Sequence, residues 1–382
     1  MFRKVIVGVS GGVDSAVSAY LLKEKGFSVL GVFMRNWDEL DETGRCSGEK
    51  ELADATYVCN KIGIDLVEVN FVKEYWNNVF SNFLEDYQNG LTPNPDILCN
   101  RHIKFDHFYK HAVEKLDFDA IAMGHYARTS FGPYLENYNK NEEVRLLQAK
   151  DSFKDQTFFL SGIQQEALRK TMFPLGELTK SEVKDMAKKI GLRRVALKKE
   201  STGICFIGNR NFKNFIKEYI HSKPGDFIDI DTGKVVGQHE GFHQWTVGQR
   251  CRLHSFLRPY FVAAKDAETN SILVANGTDN PALFSNVIYT QQPSWISTNP
   301  LKDFNHLRCK FRFQHTKPLV DCTVEKASDK TGLIVTLDKP LRALTPGQYA
   351  VLYREDECLG SARIITSEQM QNNFKQFAKI QM

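Results

Sequence analysis

Lys4-Val-Ile-Val-Gly-Val9 runs directly into Ser10-Gly11-Gly12-Val13-Asp14-Ser15, and the reading of that junction decides the fold. The first segment is a β-branched apolar run, as expected of a strand. After the glycine turn, Val17, Tyr20 and Leu21 recur at helical spacing within Ala16–Lys25, and Gly26 is placed as the helix C-cap. Phe27 to Met34 then returns as a second apolar strand, so the opening is a strand–helix–strand unit that implies a parallel sheet. The alternation continues with a helix around Lys50 to Ile62, a strand at Asp65 to Val69, a helical stretch around Glu74 to Asn89 and a strand at Ala120 to Met123. From about Lys223 the texture changes to short β-rich runs broken by Pro224-Gly225, Asp231-Thr232-Gly233 and Asn276-Gly277. The stretches His306–Gln314, Leu319–Glu325, Gly332–Leu337 and Gln348–Tyr353 are spaced as strands of a small barrel.

At 382 residues the chain exceeds one ordinary core, and two or three domains are expected. We place an α/β domain over 1–222, a small central β-rich domain over 223–292 and a β-barrel domain over 293–382. Hydrophobic residues make up 42% and charged residues 25%, which fits a folded globular chain and excludes disordered and fibrous classes. The net charge of +4 is too small to argue for nucleic acid, so a basic footprint must be local. Eight cysteines without regular spacing do not form a secreted disulfide framework, and a reducing compartment follows. No apolar run approaches the roughly 18 residues that would span a bilayer, so no membrane partner is expected.

Between the first strand and first helix, glycine backbone can approach phosphate oxygens while the helix N-terminus favours an anion. The loop lacks a Gly-Lys-Ser/Thr ending, which disfavours a γ-phosphate machine. Asp14 and Ser15 are placed to orient Mg²⁺ and pyrophosphate; the structural alternative is an ordinary turn. Two cysteines stand in loop settings: Cys99 after the rigid Thr92-Pro93-Asn94-Pro95-Asp96 turn, and Cys205 in the glycine-bracketed Ser201-Thr-Gly203-Ile-Cys205-Phe-Ile-Gly208. Sulfur transfer needs one thiol to carry a persulfide and a second thiolate to release it. Cys59, Cys251, Cys309, Cys322 and Cys358 lie in helix- or strand-like surroundings and read as small buried hydrophobes, while Cys46 sits in a polar loop and stays open. Asp96 reads equally as an acid–base group or as a turn former. Eight Lys/Arg between Lys180 and Lys199 form either a phosphate-facing surface or a solvated helix face.

Ser10-Gly-Gly-Val-Asp-Ser15 after a first strand resembles the PP-loop of ATP pyrophosphatases, which split ATP between the α and β phosphates and adenylate a substrate. Together with Phe33-Met34-Arg35-Asn36-Trp37, Gly124-His125-Tyr126, the two cysteine segments and Thr345-Pro346-Gly347-Gln348, the whole chain resembles the tRNA-specific 2-thiouridylases. That resemblance implies a Rossmann-like PP-loop domain with ATP held by Gly8, Val9, Ser10, Gly11, Gly12, Val13, Asp14, Ser15, Met34 and Gly124. It implies that Asn94, Pro95 and Asp96 meet the target base, that Cys99 is the nucleophile and that Cys205 carries the persulfide. It places Lys154, Asp155, Gln156, His125, Arg312, Phe313 and Gln348 against tRNA, with the wobble uridine at position 34 of tRNAs for Lys, Glu and Gln as target and an upstream persulfide donor. The implied reaction has the uridine C2 oxygen attack the α-phosphate and sulfur then displace AMP, with Mg²⁺ and loop amides steadying pyrophosphate.

A rival reading makes Asp96, Cys99 and Cys205 ligands of an iron–sulfur cluster. A resting Cys99–Cys205 disulfide is also open, and two further classes compete: a PP-loop ligase acting on a small molecule, and an inactive RNA-binding relative. Val72-Lys-Glu-Tyr-Trp76, Asp151–Phe159 and Asp356-Glu-Cys-Leu-Gly360 resemble the mitochondrial branch, so a mitochondrion is expected, with a bacterial cytoplasm as the alternative because the N-terminus shows no clear Arg-rich amphipathic presequence. After Gly248-Gln249-Arg250 the run Cys-Arg-Leu-His-Ser-Phe-Leu-Arg-Pro259 departs from the glycine-rich stretch of bacterial members.

Overall fold

A computed structural model describes residues 2–37, 47–198, 206–207, 210–253, 257–328 and 331–381. Among these, the first domain is built on five parallel strands, β1 (Lys4–Gly8), β2 (Ser28–Arg35), β3 (Asp65–Asn70), β4 (Ala120–Ala122) and β5 (Thr171–Met172), in the order β3-β2-β1-β4-β5. Val5, Ile6 and Val7 have no exposure at all, which explains why β1 reads as an unbroken apolar run: helices cover both faces. Helix α1 (Val13–Glu24) crosses from β1 to β2, and α2 (Ser47–Ile62) from β2 to β3. The strand order reverses between β1 and β4, and in such sheets ligands bind in the crevice beyond the strand ends at that switch. Two segments meet there, the loop after β1 and the Met123–Tyr126 segment after β4.

The middle domain is a second five-stranded sheet of β6 (Gly225–Asp229), β7 (Val235–His239), β8 (Arg250–Cys251), β9 (Tyr260–Asp266) and β10 (Ser271–Asn276), in the order β8-β9-β10-β6-β7. The third is a closed antiparallel barrel. Its strands β11 (Phe284–Thr290), β12 (His306–Arg312), β13 (Val320–Lys326), β14 (Leu333–Arg342), β15 (Tyr349–Arg354) and β16 (Glu357–Ser367) run in the order β11-β14-β13-β12-β15-β16, and β16 pairs back onto β11. Every second residue turns inward, as with Cys309 and Phe311, Cys322 and Val324, or Val335 and Leu337. The strand Phe284–Thr290, on the middle-domain side of residue 292 in the sequence reading, pairs within the barrel.

Two features tie the domains together. The short ribbon Arg128–Thr129 with Leu146–Leu147, from the first domain, pairs onto β16 and extends the barrel sheet. Helix α4 (Glu368–Gln381; α3 is Lys180–Lys189) leaves the barrel and returns to the middle domain, where Met370 and Phe377 join that domain's core. The sequence reading has no helix there.

Candidate active site at the sheet switch point

The nucleotide loop is made by one strand-to-helix turn. Gly12 caps α1 in an extended conformation and has no side chain to satisfy the first helical amides. Ser15 supplies local order instead: its Oγ accepts from Ser10 N at 3.2 Å and donates to the Gly12 carbonyl at 3.1 Å. Gly11 sits at φ +72°, and a Cβ there would lie 2.7 Å from both Asp54 Cβ and the Glu51 carbonyl of α2. A Cβ on Gly124 would lie 2.8 Å from Ser15 N, so the β4 loop is pressed against the first turn of α1. A Cβ on Gly8 would lie 2.9 Å from Met123 Sδ and 3.2 Å from the Met34 methyl. The structure thus brings Gly8, Met34 and Gly124 together around Ser10–Ser15, and the bare backbone suits the phosphates of ATP. Val9 and Val13 are core residues that shape the loop from behind.

Asp14 is committed within the protein. Both its oxygens lie within 2.8 Å of Lys180 Nζ, and Tyr126 Oη donates to it at 2.8 Å. Lys180 and Tyr126 thus fix where the Asp14 carboxylate stands at the start of α1. No group of three His, Cys, Asp or Glu side chains among the described residues could hold a metal ion by itself. Four residues of the basic stretch have ion-pair partners among the described residues. Lys180 opens α3, which starts at a capping box of Thr179 and Glu182, and turns to Asp14. Arg194 and Lys198 both pair with the buried Asp54, and Lys188 pairs with Asp185. Lys180 thus ties α3 to the first turn of α1, and Arg194 and Lys198 tie the segment after α3 to α2.

The cysteine arm begins at Thr92. Asn94 caps the turn Pro95–Leu98, its Oδ1 accepting from Ile97 N, with Pro95 at the first helical position, where a missing N–H costs nothing. Cys99 closes that turn, is 4% exposed and opens a widened helical run, Cys99–His107, that kinks at Phe105. Burial pushes the Asp96 carboxyl up, opposed by the charges of Lys104 and His315. Lys104 Nζ stands 3.5 Å from His125 Nε2, so the Cys99 helix meets the Gly124 loop. Burial, and then Lys104, hold the His125 imidazole well below its usual range.

The barrel grips this arm. Gln348 Nε2 donates to the Thr92 and Pro93 carbonyls at 2.8 and 3.2 Å, and its Oε1 accepts from Asn94 Nδ2 at 3.4 Å. Gly347, at φ +90°, lies so close that a Cβ would be 2.8 Å from Thr92 N and O. A second clasp holds the Lys154-Asp155-Gln156 segment. Asp155 is 1% exposed; it accepts from Ala149 N and the Thr157 hydroxyl and pairs with Arg312 at 3.4 Å. His315 Nε2 lies 2.6 Å from the Asp155 carbonyl oxygen, and Arg312 lies over the Tyr353 ring. Gln156 Oε1 accepts from Tyr126 N. Asp155, Arg312 and Phe313 are buried, so their first task is to join the barrel to the catalytic domain. Lys154 is half-buried beside them.

Sequence reasoning missed Lys104, Asn100, His315 and the Lys180–Asp14 pair. Lys104 and Asn100 carry a local signal, since they lie within five residues of Cys99; the others need the fold. Cys205 and Cys46 lie outside the described residues, so the Cys99–Cys205 pair is not drawn. No disulfide joins described cysteines, and Cys59, Cys251, Cys309, Cys322 and Cys358 are all buried.

The chain matches three family models in succession: the tRNA methyl transferase HUP domain over residues 3–209, the tRNA methyl transferase PRC-barrel domain over 213–276, and the aminomethyltransferase beta-barrel domain over 285–364. It is 63% identical over 384 residues to the mitochondrial tRNA-specific 2-thiouridylase 1 of Drosophila melanogaster, an alignment that covers 100% of this chain and 98% of that protein. The chain belongs to the tRNA-specific 2-thiouridylases. The human mitochondrial tRNA-specific 2-thiouridylase 1 is 47% identical, covering 95% of this chain and 90% of that one. The tRNA-specific 2-thiouridylase of Vibrio vulnificus is 45% identical, covering 95% and 96%. The thiouridylase family is an enzyme family of the sulfurtransferase type with an ATP-binding PP-loop domain, and the parallel sheet, middle sheet and closed barrel seen here are its three-part architecture.

Proposed function

We propose that this enzyme performs ATP-dependent 2-thiolation of the wobble uridine of tRNA, the mitochondrial tRNAs for Lys, Glu and Gln being its substrates. The observation that carries the reading is the Lys104–His125 contact, which sets the helix of Cys99 against the loop of Gly124 at the nucleotide site. In the proposed sequence the uridine C2 oxygen bonds the α-phosphorus of ATP and pyrophosphate leaves. The terminal sulfur of a Cys205 persulfide then bonds C2 as AMP leaves. Cys99 thiolate attacks the inner sulfur, the S–S bond to the base breaks, and 2-thiouridine departs, leaving a Cys99–Cys205 disulfide that an external thiol must reduce before the next persulfide is loaded. Within this scheme the loop amides of Gly11 to Ser15 receive phosphate oxygens, and Asn94, Pro95 and Asp96 present the base to Cys99. Burial favours the protonated form of the Asp96 carboxyl more than in an ordinary aspartate, which suits it to exchange a proton with the base. His125, Lys154 and Gln156 are assigned to tRNA directly, whereas Asp155, Arg312, Phe313 and Gln348 act on it by holding the segments that do. The animal relatives' names support a mitochondrial location.

The test is nucleoside mass spectrometry on unmodified tRNA incubated with the protein, ATP, Mg²⁺ and a persulfide donor, beside Cys99→Ser and Cys205→Ser variants. New 2-thiouridine, lost in both variants, is expected. Activity that survives in the variants would sink the persulfide route in favour of cluster-bound sulfide, and ATP cleavage without a thiolated base would leave the loop correct and the substrate wrong.

A further inference from the structure

Among the described residues, the polar atoms at the cysteine arm that are buried without partners include Thr92 Oγ1 at its start and, nearer the nucleotide loop, Asn100 Oδ1 and His125 Nδ1. Asn100 is 4% exposed, and its Nδ2 donates to the Phe159 carbonyl at 3.2 Å. That bond fixes which end of the amide is which, so the orphan is an acceptor. His125 is 8% exposed. The Lys104 ammonium has only protons to give, so Nε2 facing it is the lone-pair nitrogen and the neutral ring carries its proton on Nδ1. The second orphan is therefore a donor.

Their placement relates them. Asn100 and Lys104 are four residues apart in one helical run and share a face. Asn100 follows Cys99 and His125 follows Gly124, so the acceptor belongs to the sulfur-bearing segment and the donor to the nucleotide loop, the two segments that the Lys104–His125 contact joins. What distinguishes these two from the other unpartnered buried atoms is their position, one next to Cys99 and one next to Gly124, where a base brought to the sulfur would lie.

We propose that Asn100 and His125 read the Watson–Crick edge of the target base and set its identity as uracil, with Lys104 as the positioning residue that fixes the His125 tautomer. Asn100 Oδ1 accepts from uracil N3–H, and His125 Nδ1–H donates to O4. Cytosine turns both contacts around, offering a lone pair at N3 to an acceptor and an amino group at C4 to a donor, which leaves both buried groups unpaired. Held to Asn100, the N3 proton stays on the base while O2 bonds phosphorus, and C2 stays electron-poor until sulfur adds. The inference rests on the thiouridylase reading and deepens it by naming how uracil is chosen.

The experiment compares tRNAs that differ only in U34 or C34, incubated with the full-length protein, ATP, Mg²⁺ and a persulfide donor, with 2-thiouridine and 2-thiocytidine counted by mass spectrometry. Wild type should thiolate U34 alone. Asn100→Ala should lose about 10- to 100-fold on U34 and lower the U-over-C ratio at least tenfold. Lys104→Met should lower the same ratio and move the His125 ring ¹⁵N shifts toward the Nε2–H tautomer, whereas Lys104→Arg should restore both. An unchanged U-over-C ratio in an active Asn100→Ala protein would overturn the proposal, as would a wild-type His125 protonated on Nε2. If Asn100→Ala does not fold, the Lys104 pair and the ring shifts still decide it. A wild type that thiolates no uridine would bring down the thiouridylase reading itself, a result distinct from an unchanged ratio.

Discussion

The nucleotide loop and the cysteine arm meet through Lys104 and His125, yet they are built in opposite ways. The loop is local: Ser10 to Ser15 order themselves, and tight packing leaves no room for a Cβ at Gly11, against α2, or at Gly124, against the first turn of α1. The arm is assembled from a distance, with Thr92 to Asn94 held by Gln348 and the neighbouring Asp155 held by Arg312 and His315 of the barrel. Damage to the loop should therefore act on nucleotide chemistry with little loss of stability. Damage to the arm should spread into domain docking and the use of tRNA.

The sharpest break is expected at Asp155. Asp155→Ala leaves the buried Arg312 guanidinium without its carboxylate, and unfolding should become easier by about 3–5 kcal/mol, read from denaturant titration. Next comes Gly124→Ala, whose new methyl presses on backbone atoms of Asp14 and Ser15 and displaces the nucleotide loop. ATP–pyrophosphate exchange should fall about 100-fold while circular dichroism stays unchanged. Loss of ATP chemistry only through unfolding would erase the contrast between the two regions.

Gln348→Ala removes three hydrogen bonds across the domain junction and should cost about 1–2 kcal/mol in tRNA-dependent turnover, with the KM for ATP unmoved. The smallest effect belongs to Asp96→Asn. Burial places the folded carboxyl above its unfolded value, so the charged form opposes folding at neutral pH and that opposition fades as pH falls through the folded value. The variant should be more stable than wild type at pH 7 by roughly 0.5 kcal/mol, and the difference should close near pH 3. Thermal melts at the two pH values measure it, and a larger gap at pH 3 would reverse the assignment.

The same contrast explains what could be read in advance. Strand β1, α1 and the loop between them were legible because their chemistry is contiguous: an apolar run, two glycines, then a helical period. Four barrel strands were legible from turn spacing, but Phe284–Thr290 was not, since Ser285 and Asn286 dilute its alternation, and the long β16 begins in the polar Asp356-Glu357 turn. Helix α4 was missed because its apolar face, Met370, Phe374 and Phe377, is sparse among amides and lysines and gains meaning only against the middle sheet. At the site, the glycines and Cys99 announced themselves by motif. Lys180 looked like a surface cation because nothing in the sequence shows that it reaches back to Asp14, and Gln348 declared its contacts only when the barrel closed.

The return of α4 to the middle sheet also orders events during synthesis. The ribosome releases β6 to β10 well before Met370 and Phe377 emerge, and the whole barrel is made in between. Asn373 then donates to the Ala282 carbonyl and Gln376 to that of Ile230, backbone positions that wait for these partners. A nascent chain halted within the barrel would present an uncovered apolar sheet to chaperones and proteases, so the arrival of α4 certifies that translation has run past the barrel.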